Sequence, residues 1–132
     1  MNIFTIEETP KTPYINFDLD SGILEINGRS VPSDAENFWE PVLEKFDAYC
    51  MHPASETVVK INLEYFNISS SKRLLFLLYK MNDLVERGFK VEIEWFYKEN
   101  DEDMYEVGRD YAFMVKVPFN FVSYVEEVAL AI

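Results

Sequence analysis

Two segments in which apolar and polar residues strictly alternate constrain the fold most. Their apolar faces are Thr57, Val59, Ile61, Leu63 and Tyr65 in residues 57–66, and Phe89, Val91, Ile93, Trp95 and Tyr97 in residues 89–98. Successive side chains of a strand point to opposite faces, so each predicted strand has one buried face and one wetter face. Strands that are buried on both faces read as continuous aliphatic runs instead. The sequence therefore predicts an α/β two-layer sandwich with helices mainly on one face of the sheet, and not a doubly wound nucleotide-binding fold.

A helical pattern lies between these two strands and ends at Gly88, a residue that suits the left-handed position after a helix. The apolar residues of the pattern are Leu74, Leu77, Leu78, Met81, Leu84 and Val85. A strand–helix–strand unit of this length predicts two parallel strands joined by a right-handed crossover.

In the N-terminal half of the domain, the sequence predicts a hairpin followed by a helix. Residues 14–19 and 23–27 form the hairpin, which makes the predicted sheet mixed. The helix begins at a capping box, with Ser33 as the cap and Glu36 reaching back to its amide, and it ends at His52 before a proline.

In the C-terminal half of the domain, the sequence predicts a third helix and a last strand. The helix runs from about residue 101 to residue 115, and the strand covers residues 119–125. The residues predicted to face inward from this helix are Met104, Val107, Tyr111 and Met114. Acidic residues in its first turn suit the positive end of the helix dipole.

The 132 residues of the chain have the size of one domain. We expect a lead-in at residues 1–12, either mobile or docked at a sheet edge. A single domain follows at residues 13–125, and residues 126–132 form a C-terminal tail.

The charge balance excludes two classes of partner. Lys and Arg number 12 against 24 Asp and Glu, which gives a formal net charge of -12. Such a surface repels phosphate backbones and anionic lipids, so we expect neither nucleic acid nor a membrane as partner. Residues 1–11 lack the features of a signal peptide, and no apolar run approaches the ~20 residues that span a bilayer. We therefore expect a cytoplasmic protein.

The residues do not favour an enzyme. One cysteine and one histidine, Cys50 and His52, are too few for a disulfide or a usual zinc site, and their spacing on a helix separates the two side chains. The acidic run at residues 99–103 lacks the glycine and the closing glutamate of a calcium loop. Aromatic residues make up 16% of the chain, but most fall on core stripes, so packing explains them. We expect no cofactor, no metal and no catalytic residue.

A serine-rich junction lies between the second predicted strand and the Leu-rich helix. It contains Ser69, Ser70 and Ser71, whose hydroxyls are expected to cap the helix start. A phosphoryl group there would add about -1.5 to -2 charges at the positive end of a helix, where an anion is favoured. The sequence thus leaves two interpretations open, a plain cap and a phosphorylation switch.

Two further surfaces are possible contact sites. Phe66 and Phe96 interrupt the polar face of the sheet, either as a contact patch or as rings covered by the N-terminal segment or the last strand. Lys72 and Arg73 lie on the polar side of the Leu-rich helix, and they are candidates for steering an acidic partner or holding a phosphate.

One long stretch and three shorter motifs carry a family resemblance. They are Leu63-Glu64-Tyr65-Phe66-Asn67-Ile68-Ser69-Ser70-Ser71-Lys72, Trp95-Phe96-Tyr97, Asp101-Glu102-Asp103-Met104 and Pro118-Phe119-Asn120-Phe121. Over residues 12–124 the chain resembles the SiaC family of bacterial regulatory phosphoproteins. The resemblance implies a fold similar to the STAS domains of anti-sigma-factor antagonists, which place a phosphorylatable serine or threonine at this strand–helix junction.

The resemblance also implies a function and three partners. In proteins of the SiaC type, the unphosphorylated form binds and activates a diguanylate cyclase. A Ser/Thr protein kinase of the partner-switching type phosphorylates it, and a PP2C-type phosphatase restores it. By this resemblance, the chain is a non-catalytic signalling protein that regulates a partner enzyme under phosphorylation control.

The chain departs from the family at one position of the junction. The family pattern usually reads Asn-Thr-Ser-Ser with the threonine as phosphate acceptor, and here Asn67 is followed by Ile68, which has no hydroxyl. Either the acceptor has moved to a following serine, or the chain is a constitutive interaction module without phosphate control. The candidates for phosphorylation are Ser69, Ser70 and Ser71, with Ser69 favoured.

Overall fold

The computed structural model describes residues 2–126, which form one six-stranded sheet and three helices. The strands are β1 (Ile3–Ile6), β2 (Tyr14–Asp18), β3 (Ile23–Ser30), β4 (Glu56–Phe66), β5 (Lys90–Lys98) and β6 (Phe119–Tyr124). The helices are α1 (Ala35–Met51), α2 (Ile68–Glu86) and α3 (Glu102–Met114). The tail predicted at residues 126–132 lies, apart from its first residue, outside the described residues.

The order of strands in the sheet follows the order of the chain, from β1 to β6. β1, β2 and β3 pair antiparallel, and β3, β4, β5 and β6 pair parallel. The predicted hairpin, parallel strands and mixed sheet are confirmed. The lead-in docks at the sheet edge, because Ile3–Ile6 pair with residues 15–18 of β2.

All three helices pack on one face of the sheet, as predicted. Leu24, Val59 and Ile93 lie side by side in β3, β4 and β5, and all three are buried under the helices in one core. When strand order advances in one direction, crossovers of one hand place successive helices on the same face. The opposite face, which carries Lys60 and Phe96, is left partly exposed.

Aspartates cap the first and third helices. Asp34, not Ser33, caps α1, since its side chain accepts a hydrogen bond from the Asn37 amide at 3.0 Å. The predicted capping box is therefore wrong by one residue, and a carboxylate at this position also favours the positive helix end. Asp101 caps α3 in the same way.

Met114, predicted to face inward, is 54% exposed because it is the last residue of α3.

A β-bulge changes the direction of the side chains at the end of β4. The register with β3 pairs Gly28 with Leu63 and then Arg29 with Tyr65, so Glu64 is skipped. Tyr65, predicted to be buried, is therefore 52% exposed.

The same bulge turns Phe66 towards the helices. Its ring packs against Trp95 of β5 and Tyr111 of α3, so a helix covers it. The bulge therefore sets the path by which the chain enters α2.

Candidate functional site at the β4–α2 junction

Asn67 builds the start of α2. Its side-chain Oδ1 accepts a hydrogen bond from the Ser70 amide at 2.9 Å, and its own amide donates to the carbonyl of Ser30 at 3.0 Å. The expectation that serine hydroxyls cap this helix is therefore wrong. The backbone of Asn67 is extended while Ile68 is already helical, so the asparagine occupies the capping position.

Ser70 lies inside the core. Its hydroxyl accepts a hydrogen bond from Ser30 Oγ at 2.7 Å, and the indole of Trp39 donates to that same Ser30 oxygen at 3.1 Å. Both serines are completely buried. Two buried hydroxyls and an indole that satisfy one another fix the first turn of α2 to the end of β3. A modifying enzyme cannot reach Ser70 in this arrangement.

The other two candidate serines differ in exposure. Ser69 is exposed, whereas Ser71 is half-buried and its hydroxyl donates to the carbonyl of Ile68 at 2.7 Å. Ile68 itself is 88% exposed on the first turn of the helix. The structure thus offers Ser69 as the most accessible hydroxyl of the three, beside an apolar side chain that faces solvent.

The two basic candidates lie one turn beyond Ser69. Lys72 and Arg73 follow Ser69 by three and four residues on α2, which places all three on neighbouring parts of one helix face. Lys72 is exposed. The guanidinium of Arg73 lies 3.7 Å from the carboxylate of Glu36 and 5.3 Å from the centre of the Phe76 ring. Its Nε is buried and has no hydrogen-bond partner among residues 2–126.

Helix α3 supports the junction from the other side. The hydroxyl of Tyr111 donates to the carbonyl of Ser71 at 2.8 Å. Burial raises the pKa of Tyr111 from 10.0 to about 12, so the hydroxyl remains a donor further into the alkaline range than that of an exposed tyrosine. Sequence reasoning missed this contact, because Tyr111 reads as an ordinary core residue on the apolar stripe of α3.

The thiol of Cys50 lies away from the junction. Cys50 is half-buried near the C-terminal end of α1, and desolvation, assisted by the Asp47 carboxylate, raises its pKa to about 11. No three metal-ligating side chains come together among residues 2–126. Within the same residues, no helix is long and apolar enough to cross a membrane.

The fold and the junction define a small α/β domain with helices on one face of its sheet and an exposed serine in the first turn of a capped helix. Residues 6–124 match the family model described as SiaC family regulatory phosphoprotein, and the chain belongs to this family. A relative from Pseudomonas aeruginosa strain UCBPP-PA14, named uncharacterized protein PA14_02130, is 24% identical over 119 residues. That match covers 90% of this chain and 94% of the relative.

Solved structures of SiaC from Pseudomonas aeruginosa share the fold. One aligns with a TM-score of 0.87 at 22% identity and covers 94% of this chain and 100% of the other. A chain in the crystal structure of the diguanylate cyclase SiaD in complex with its activator SiaC aligns with a TM-score of 0.88, again at 22% identity, over 92% and 99% of the two chains. The predicted fold class and family are thus confirmed.

Proposed function

We propose that this chain is a non-catalytic bacterial signalling protein that binds and regulates an enzyme of the diguanylate cyclase type in the cytoplasm, and that phosphorylation of Ser69 controls this binding. One observation carries the phosphorylation part: Ser69 is exposed in the first turn of α2, while Ser70 beside it is buried. The cyclase part is supported by membership of the regulatory family and by the solved complex, in which SiaC is described as the activator of SiaD.

The local electrostatics favour a phosphate on Ser69. A phosphoserine carries about -1.5 to -2 charges at pH 7, and the first turn of a helix presents unpaired N–H groups and the positive end of its dipole. Lys72, one turn further along, is an exposed cation on the same face, and Arg73 beside it is a second cation that lies 3.7 Å from the Glu36 carboxylate. Such a modification keeps the buried hydrogen bonds of Ser70 intact and changes the surface that a partner meets.

The switch requires two further proteins. A Ser/Thr protein kinase of the partner-switching type would add the phosphate, and a PP2C-type phosphatase would remove it. Both would act on a folded substrate, because the Ser69 hydroxyl is exposed without any opening of the core.

A second candidate function rests on Ile68. This residue stands where the family pattern usually has the acceptor threonine, and it is 88% exposed. An exposed apolar side chain in place of a hydroxyl suits a constitutive interaction module that binds the cyclase without phosphate control. The two functions differ in a single measurable property, the presence of phosphate in residues 67–71.

Phosphosite mapping separates the two. The purified protein is incubated with ATP and a lysate of its own host, and peptides are analysed by mass spectrometry. We expect phosphate on Ser69 that disappears in Ser69→Ala and persists in the matched control Ser71→Ala. A related protein that carries threonine at the acceptor position shows that the lysate contains an active kinase. If that protein is phosphorylated and residues 67–71 of this chain are not, phosphorylation control is wrong and the constitutive function holds.

The cyclase is tested separately. Each diguanylate cyclase of the host is purified and assayed with GTP in the presence of the unphosphorylated chain, the Ser69-phosphorylated chain or neither. We expect the unphosphorylated chain to change the rate of one cyclase and the phosphorylated chain to lose this effect. A rate that stays constant for every cyclase would refute the cyclase part of the proposal, whatever the phosphorylation result.

A further inference from the structure

Ser69 lies on the side of α2 that faces α1. Three cationic side chains of α2 contact α1, and they recur every seven residues, which places them on one stripe of the helix. They are Arg73, Lys80 and Arg87, which meet Glu36, Asp47 and the carbonyl of Cys50. Ser69 precedes Arg73 by four residues, so it continues this stripe at the start of α2.

The ion pair between Arg73 and Glu36 links the two helices near their N-terminal ends. The Arg73 Nη2 lies 3.7 Å from Glu36 Oε2, which is longer than a hydrogen bond, and the Glu36 side chain is 75% exposed. The carboxylate is therefore weakly held. The Arg73 side chain is only 23% exposed, and its buried Nε lacks a hydrogen-bond acceptor within the described part of the chain. Arg73 is thus an enclosed cation with an unused donor.

A phosphate on Ser69 would be a stronger partner for this guanidinium than a carboxylate. It carries about -1.5 to -2 charges and three acceptor oxygens, and arginine binds phosphate through two parallel N–H···O bonds. The Cα–Cβ bonds of a helix tilt towards its N-terminus, so the Arg73 side chain starts towards the turn that contains Ser69. The carboxylate of Glu36 would be repelled by the same phosphate.

We propose that Arg73 exchanges partners when Ser69 is phosphorylated, so that its guanidinium leaves the carboxylate of Glu36 and pairs with the phosphate. This inference rests on the proposed function, because it needs Ser69 as the acceptor. The exchange frees the Glu36 carboxylate on α1. The modification therefore changes the charge presented at the start of both helices, although only α2 carries the phosphate.

The position of the acceptor decides whether α1 is involved. Successive residues of a helix are about 100° apart, so residue 68, five positions before Arg73, points about 140° away from it. A phosphate at position 68 would stand on another side of α2, away from the Arg73–Glu36 pair. The shift of the acceptor to Ser69 is what brings the phosphate to α1.

The second pKa of the phosphoserine reports the cation that holds it. Phosphoserine is placed at position 69 during translation by suppression of a stop codon, and its pKa, about 6 when free, is followed by phosphorus NMR. A paired cation favours the dianion and lowers this pKa. We expect Arg73→Gln to raise the pKa by at least about 0.5 unit and the matched control Lys72→Gln, which removes an exposed cation, to raise it by less. An equal or larger effect of Lys72→Gln would overturn the role of Arg73.

The exchange itself is tested at Glu36. Glu36→Gln should lower the pKa of the phosphoserine, because it removes the carboxylate that competes for Arg73, and it should do so by less in the Arg73→Gln background. Glu40→Gln, which changes an exposed residue one turn further along α1, is the control and should have a smaller effect. If Glu36→Gln lowers the pKa equally with and without Arg73, the carboxylate acts by charge alone and no exchange takes place.

Phosphoserine at position 68 supplies a second control. In that chain Arg73→Gln should change the pKa less than it does with phosphoserine at position 69, and an equal change would show that the stripe facing α1 has no special role. Thermal unfolding of each variant shows that it is folded. Because the phosphoserine enters during translation, the absence of a kinase would refute phosphorylation control and leave this test unaffected. A phosphate that Arg73 does not hold would leave the phosphosite mapping unaffected.

Discussion

Ser30 and Ser70 share a hydrogen bond of 2.7 Å in the core, and this bond fixes the first turn of α2 to the end of β3. The exposed Ser69 therefore stands next to a residue that cannot move without breaking buried polar contacts. In this short segment an exposed residue, Ser69, is thus followed directly by a buried and fixed one, Ser70.

Replacing the buried hydroxyl should cost stability. We expect Ser70→Ala to lower the free energy of unfolding by about 1–3 kcal/mol, because Ser30 loses its partner in the core. Urea denaturation followed by circular dichroism measures the change. Ser69→Ala, one residue away and exposed, should stay within about 0.5 kcal/mol of the wild type. Equal effects of the two substitutions would contradict the buried position of Ser70.

Gly108 should tolerate no side chain. A Cβ at this position would stand 2.6 Å from the indole Nε1 of Trp95, which donates to the carbonyl of Met104 at 3.0 Å. We therefore expect Gly108→Ala to destabilise the protein, although alanine favours a helix by about 1 kcal/mol over glycine. Trp fluorescence and thermal unfolding report the change. Glu106→Ala, exposed on the same helix, is the control, and a Gly108→Ala protein as stable as that control would show that α3 shifts freely.

Stability should fall at high pH through Tyr111. Its pKa is raised to about 12 by burial from an ordinary value of 10.0. Between these values the unfolded chain has released a proton that the folded chain still holds. The contribution of Tyr111 to the free energy of unfolding is therefore complete below pH 10 and is lost as the pH rises towards 12. Tyr111→Phe should flatten this dependence and cost about 1 kcal/mol at neutral pH through the lost bond to Ser71. Tyr65→Phe, which changes an exposed residue of β4, is the control. It should leave the pH dependence of the free energy of unfolding as in the wild type, and urea denaturation at a series of pH values between about 9 and 12 measures this dependence.

Cys50 should react slowly with thiol reagents. Burial raises its pKa from 9.0 to about 11, which lowers the thiolate fraction at pH 8 about a hundredfold. Alkylation by iodoacetamide should therefore be slower by roughly that factor in buffer than in urea. Asp47→Asn removes a carboxylate that raises this pKa and should speed the reaction in the folded protein. A rate that is the same in buffer and in urea would show that the thiol is freely exposed.

Restoring a hydroxyl at position 68 tests the departure from the family pattern. Ile68 is 88% exposed, so Ile68→Thr should change the free energy of unfolding by less than about 0.5 kcal/mol. If the proposed kinase recognises this junction, the variant should be phosphorylated at residue 68 in host lysate. Ile68→Val, which has a similar shape and no hydroxyl, is the control. Equal phosphate at residues 67–71 in both variants would show that threonine at this position is not an acceptor here.

The alternating pattern predicted most of the sheet and failed at one place for a physical reason. Alternation assigns faces correctly only while every residue is paired in register, and the bulge at Glu64 removes one residue from the ladder. Tyr65 and Phe66 consequently exchange faces. The residues around the bulge give no sign of it, because its cause is the pairing with a strand about 35 residues earlier in the chain.

The junction was predictable in position but not in detail. The serines and the asparagine mark a helix start, yet nothing local distinguishes the buried Ser70 from the exposed Ser69. That difference comes from Ser30 and Trp39, which belong to β3 and α1.

The agreement between strand order and chain order has a consequence for biosynthesis. Each strand from β2 to β6 pairs with the strand that precedes it in the sequence. A chain that leaves the ribosome from its N-terminus therefore always adds a new strand to an edge that has already been made. The nascent protein can assemble its sheet in the order of translation, without waiting for a distant strand to insert between two earlier ones.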